Sequence, residues 1–113
     1  MKEIKAIIRP AKLLEVTEEL HEIDGLPGVT ISEIKGFGKS RARNAADKVM
    51  YEMVEFIPRI QLEVVVDDEM VDDVVNVIQK YAHTGNTGDG KIFVSTIDEI
   101  IKIRTNERGK DAI

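Results

Sequence analysis

Residues 83 to 94 read HTGNTGDGKIFV, with Gly85, Gly88 and Gly90, three of the chain's eight glycines, inside six positions and Lys91 directly behind them. Glycine accepts positive φ and lets backbone approach a bound group. Gly88, Asp89 and Gly90 can therefore turn successive N–H groups toward one point, where Lys91 adds a positive charge. The chemistry this supports is the holding of an anion. As a string, Gly85 to Lys91 also satisfies G-x-x-x-x-G-K, the phosphate loop of many nucleotide hydrolases. That motif needs a strand before it, a helix after it, and a Ser or Thr behind the lysine to hold magnesium. Here a helix precedes, a strand follows, and Ile92 stands in the hydroxyl's place. Glycine clusters also serve as plain helix-to-strand turns, so the stretch read alone leaves two outcomes, an anion loop or a tight turn.

The flanking residues predict the elements that would position this loop. In EIKAIIRP, Ile4, Ala6 and Ile8 alternate with Lys5, Ile7 and Arg9, the period of a strand with one buried face, and Pro10 stops it. Proline suits the first turn of a helix, and Leu13, Val16, Leu20 and Ile23 recur at spacings of three and four, predicting an amphipathic helix that ends near Gly25. GVTISEIKGFG reads as a second strand. IPRIQLEVVV reads as a third, with Ile60, Leu62, Val64 and Val66 facing one way. Between them, 38 to 50 has no apolar period until Val49 and reads as a long exposed loop carrying Lys39, Arg41, Arg43 and Lys48. Asp67, Asp68 and Glu69 offer capping oxygens and negative charge to a second helix with the stripe Met70, Val71, Val74, Val75, Ile78, Tyr81 and Ala82. KIFVSTI follows as a fourth strand, then EIIKIRT as a short alternating extension. The order βαββαβ predicts an α+β, ferredoxin-like fold: an antiparallel four-stranded sheet, two helices on one face, and an extension strand at the C-terminus. The uncovered face, with apolar strand positions left over, predicts oligomerisation.

Composition narrows the functions further. The 113 residues read as a single domain, 1–113, with no low-complexity tract. Cysteine is absent, which excludes a disulfide framework and thiolate metal sites. No signal-peptide or membrane-spanning run interrupts the start MKEIKAIIRP, and a cytoplasmic protein is expected. A net charge of −5 argues against nucleic acid as a partner. His21 and His83 lack a second ligand at useful spacing, and DDEMVDD lacks the glycine and alternation of a calcium loop, so no metal site of the chain's own is expected.

The string TGNTGDGKIFV, with KGFG at 35 to 38 and RTNERG near the C-terminus, resembles the PII nitrogen-regulatory signalling family. The similarity extends from MKEIKAIIRPAKL to the final DAI. It implies a regulatory homotrimer and not an enzyme. ATP or ADP would lie between subunits, and loop 38–56 would dock a target protein. On the adenine and ribose side the resemblance places Ile7, Gly28, Thr30, Gly36, Phe37, Gly38 and Glu63. On the phosphate side, where loop 83–91 would grip the nucleotide, it places Lys39, Thr84, Gly88, Asp89, Gly90 and Lys91, completed by Lys102 and Arg104 from a neighbour. Mg²⁺ would accompany ATP. Charge-assisted hydrogen bonds of about 1.5–3 kcal/mol each would together reach the roughly −8 kcal/mol of micromolar affinity.

Departures from the family pattern carry their own expectations. Lys39 and Lys102 stand where arginine is usual, keeping charge but losing a planar fork that holds a phosphate through two bonds. Many members sense 2-oxoglutarate with a glutamine where Ser40 stands here, helped by a basic residue at the position of Arg59; a hydroxyl is the weaker ligand. The usual uridylylated tyrosine falls on Glu52, with Tyr51 one place earlier, so uridylylation is not expected. The divergent basic text KSRARNAADK points to a different target, with a membrane transporter as one class. The rival reading is a small ferredoxin-like ATPase or phosphatase, in which Asp89, the only acidic group of the loop and without an accompanying histidine, would have to act as base.

Overall fold

The computed structural model describes residues 1–37 and 56–113. Period-two alternation produces β1 (Lys2–Ile8) and β3 (Ile57–Val66), whose inward residues Ile4, Ala6, Ile8, Ile60, Leu62, Val64 and Val66 are all buried. The strands pair antiparallel with Ile4 opposite Val64, Ala6 opposite Leu62 and Ile8 opposite Ile60, so both apolar sets share one face. β2 (Thr30–Gly36) adds to β3 and β4 (Lys91–Thr96) adds to β1, in the order β2-β3-β1-β4 with every pair antiparallel. This is the expected ferredoxin-like sheet.

Two helices close the inward face. Pro10 opens a 3₁₀ turn, Pro10–Lys12, which feeds α1 (Leu13–His21); α2 (Val71–Ala82) follows a similar turn, Asp68–Met70. Val16, Leu20, Val74 and Ile78 are fully buried against the strands, each such side chain contributing about 1.5–3 kcal/mol by leaving water. α1 ends earlier than its apolar stripe predicts. Glu22 and Ile23 donate to the carbonyls of Glu19 and Leu20, tightening the last turn, and Gly25 lies in the turn beyond at φ 77°. The carboxylates expected to cap α2 make no capping hydrogen bond. Asp68 accepts from the N-terminal amine at 2.9 Å and Asp67 pairs with Lys110 at 3.4 Å, so they tie both chain termini to the start of α2.

The expected C-terminal extension strand is not formed as a ladder. Residues 101 to 108 fold back on themselves, joined by one bridge between Ile101 and Arg108, with Asn106 at φ 62° in the turn. The reason is local: Asn106 donates its amide to the Lys102 carbonyl at 2.7 Å, and Lys102 donates to Glu107, which closes a turn where a strand would need partners along its length. Among the described residues, no helix lies on the other face of the sheet. It presents Ile7, Ile34, Val65 and Phe93 beside Lys5, Gln61 and Glu63, and Phe93 is half exposed. Gly38, Lys39, Ser40, Tyr51 and Glu52, with nearly all of loop 38–56, lie outside the described residues.

Candidate functional site: a glycine loop at the sheet end

The glycine loop joins the C-terminus of α2 to β4. Gly85, Gly88 and Gly90 all adopt positive φ, at 90°, 99° and 102°. Gly90 has a second constraint, because a Cβ there would lie 1.7 Å from the Ile7 carbonyl oxygen in the central strand. The loop therefore lies directly on the backbone of β1, which only glycine permits. At Gly88 a Cβ would meet Nη2 of Arg9 and Nη2 of Arg59, each at 3.3 Å. Two guanidinium groups thus converge on the loop's middle from the ends of β1 and β3, and Lys91, opposite Ile7 in the ladder, stands at the same end of the sheet.

Asp89 organises this loop from within. Its carboxylate accepts the amides of Thr84 at 2.7 Å and Gly85 at 2.9 Å, the Thr84 hydroxyl, and Nε of Arg9 at 3.0 Å. Arg9 also donates to the Thr87 carbonyl at 2.8 Å, so it staples the loop to β1. These donors turn inward. Among the described residues, no acceptor takes the amides of Thr87, Gly88, Asp89 or Gly90, and neither Lys91 nor Arg59 has a carboxylate partner. Of the loop's amides, those of Thr84 and Gly85 hold Asp89 and that of Asn86 donates to the Thr84 hydroxyl oxygen, which leaves the four from Thr87 to Gly90 for an external acceptor.

The Thr84 hydroxyl, then the Thr84 amide, Arg9 and the Gly85 amide, hold the Asp89 carboxyl well below the usual carboxylate range. A folded pKa lowered below the unfolded one stabilises the loop above the unfolded value, near pH 4, and that contribution fades as pH falls through the folded value. The amide resonances of Thr84 and Gly85 are therefore expected to stay constant from pH 7 to about pH 4 and to move only below it. Asp89→Asn should shift them at neutral pH and remove the acid-side change. A midpoint at the value of an ordinary aspartate would mean that the inward bonds do not form in solution.

The expected site residues that the structure describes are spread over four places within one chain. Ile7, Asp89, Gly90 and Lys91 line a hollow of about 300 Å³ beside the end of α2, with Thr84 and Gly88 in the loop above. Gly36 lies opposite Ile57 at the far end of β2, and Phe37 packs on Phe56 with ring centroids 5.8 Å apart, at the mouth of segment 38–55. Gly28, Thr30 and Glu63 line a different hollow of about 290 Å³, closed by Ala112 and Ile113. Lys102 and Arg104 occupy the C-terminal turn, where Arg104 is exposed. Arg9 was not among the expected site residues. Its signal in the sequence is a cation at the end of a strand directly before proline, a position that exits the sheet beside whatever loop neighbours it.

Fold and site together define a class: a split βαβ domain that presents a glycine loop, open amides and three cations at one end of its sheet. More specifically, the chain belongs to the Nitrogen regulatory protein P-II family, whose model matches residues 1–107. It is 50% identical over 113 residues to the Nitrogen regulatory protein P-II of Rhodospirillum rubrum and 47% identical to that of Azospirillum brasilense, in both cases over all of both chains. The protein is thus a regulatory signalling protein of this family.

Proposed function

We propose that the chain senses ATP or ADP at seams between three copies of itself and reports the nucleotide to a target protein through segment 38–56. The observation that carries this reading is the division of the site. The open amides of Thr87 to Gly90 lie beside Arg9, Arg59 and Lys91 at one end of the sheet, whereas Gly28, Thr30 and Glu63 line a separate hollow. A neighbouring copy that brings Lys102 and Arg104 to the loop completes the cation set, and the helix-free sheet face supplies the contact. The cytoplasm, where adenine nucleotides are abundant, is the compartment this role requires. The basic text of residues 39 to 48 favours a membrane transporter as the target.

The enzyme reading meets a specific obstacle. A general base works best with a pKa near the operating pH, and Asp89 is drawn far from it by Thr84 and Arg9, its oxygens already accepting four bonds. We expect ATP turnover well under about 1 s⁻¹, the low end of enzyme values.

Isothermal titration with ATP, ADP and AMP, alongside native mass spectrometry, tests the proposal. A trimer binding one ATP or ADP per protomer at micromolar affinity, and AMP more weakly because it lacks the outer phosphates, is expected. Magnesium and 2-oxoglutarate form separate arms. With a serine hydroxyl at position 40 in place of an amide, 2-oxoglutarate should strengthen Mg·ATP binding by less than about tenfold, or 1.4 kcal/mol. A monomer that gives no heat with any adenylate would overturn the reading.

A further inference from the structure

The helix layer stops short of β2. Ile31 stands opposite fully buried Leu62 in the ladder, yet remains 46% exposed, because among the described residues no helix reaches the inward side of this edge strand. The result is an open groove of about 410 Å³ between the C-terminal half of α1 and β2, floored by Leu20, Ile23, Leu26, Val29 and Ile31. Thr17 and His21 form its rim and also border an adjoining shelf made otherwise of Glu18, Glu19 and Glu22. Asp24 and Glu33 are exposed beside it. Among the described residues none of these five carboxylates has an ion-pair partner.

We infer that this groove docks a basic amphipathic segment of a partner protein, at a surface that borders the proposed nucleotide site only through Pro27 and Gly28. An apolar floor with a one-sided acidic shelf matches a helix whose apolar residues recur at three- and four-residue spacing and whose flanks carry Lys or Arg. Apolar anchors fill the groove, and the cations neutralise carboxylates that otherwise repel one another. A second copy of this chain is a poor match, because its net charge of −5 opposes the shelf, and an anionic lipid surface is opposed by the same charge. The groove also touches the nucleotide reading at one wall. Pro27 and Gly28 line it on one side and line the hollow of Thr30 and Glu63 on the other, so an occupant restrains the loop that the adenine is proposed to contact.

The full chain, isotopically labelled, is titrated with a Leu/Lys peptide of about 14 residues, enough for roughly 20 Å of helix. A counterpart with Glu in place of Lys is the control. Saturable shifts confined to Thr17, His21, Leu26, Val29 and Ile31, absent with the acidic peptide, are expected. Ile31→Asp should weaken binding by about tenfold or more through loss of the anchor. Glu18→Lys combined with Glu22→Lys, both at exposed positions, should weaken it comparably without disturbing the fold. Shifts spread over the whole acidic surface, equal binding of the acidic peptide, or wild-type affinity in the Glu18/Glu22 variant would overturn the inference. Self-association through the groove, or capture by anionic vesicles in place of the peptide, would overturn it as well. Because the readout needs no nucleotide, a failed ATP titration leaves this test intact.

Discussion

Gly90→Ala is expected to be the most damaging single substitution in the described part of the chain. An alanine methyl would sit 1.7 Å from the Ile7 carbonyl oxygen and 2.8 Å from its carbonyl carbon, at a φ of 102° that side chains rarely adopt. Ile7 cannot retreat, because β1 is the strand hydrogen-bonded on both sides, to β3 and to β4. The loop must lift off the sheet or β4 must lose its first pairs. A loss above about 3 kcal/mol follows, drawn from both strain and clash. For a domain of this size that lowers Tm by roughly 10–20 °C in a circular-dichroism melt. Gly109→Ala is the matched control, since Gly109 has φ 80° but open space around its Cα and should cost only about 1–2 kcal/mol. Equal losses from the two variants would mean that the close approach to Ile7 is absent in solution.

Lys91→Ala carries the second large effect, on binding and not on folding. Lys91 is exposed, has no carboxylate partner among the described residues, and pairs with Ile7 on the helix-free face. Its removal should change stability by less than about 0.5 kcal/mol. A charge-assisted contact to phosphate contributes on the order of 1.5–3 kcal/mol, so ATP affinity should fall roughly 10- to 150-fold. Lys91→Arg should recover part of it by restoring the charge. Calorimetric titration of the three proteins checks this directly. An alanine variant that binds ATP like the wild type would move the phosphates away from the glycine loop.

The two predictions separate the loop's two roles. Gly90 bears on how the loop is held, through the backbone of β1, and Lys91 bears on what the loop holds. Arg9 belongs to both: its Nε grips Asp89, while its Nη2 reaches the Thr87 carbonyl and the space beside Gly88. A bound phosphate near Gly88 would compete with Asp89 and Thr87 for this guanidinium. Such competition offers a physical route by which ligand occupancy changes loop geometry at the same sheet end where Gly36 and Phe37 lead into segment 38–55.

Much of this was legible in the residues themselves. Strands β1 and β3 and helix α2 follow from periodicity, because burying one face of a strand or helix constrains every second, or every third and fourth, residue along the chain. The glycine loop was legible because positive φ favours a residue without Cβ, and three such residues close together mark a backbone turned away from both helix and strand. The end of α1, by contrast, was set by hydrogen bonds at Glu22 and Ile23 that an apolar stripe does not encode. Likewise the C-terminal extension closed into a turn through Asn106 and Lys102, although its alternation resembled a strand. Tertiary structure alone decided that Arg9 and Arg59, fifty residues apart in sequence, meet beside Gly88. It alone decided that Gly90 rests on Ile7, that the expected nucleotide residues are spread over two hollows, the Gly36–Phe37 corner and the C-terminal turn, and that neither α1 nor α2 covers the edge of β2. These are relations between distant segments, fixed by ladder register and helix length, and one-dimensional spacing holds no record of them.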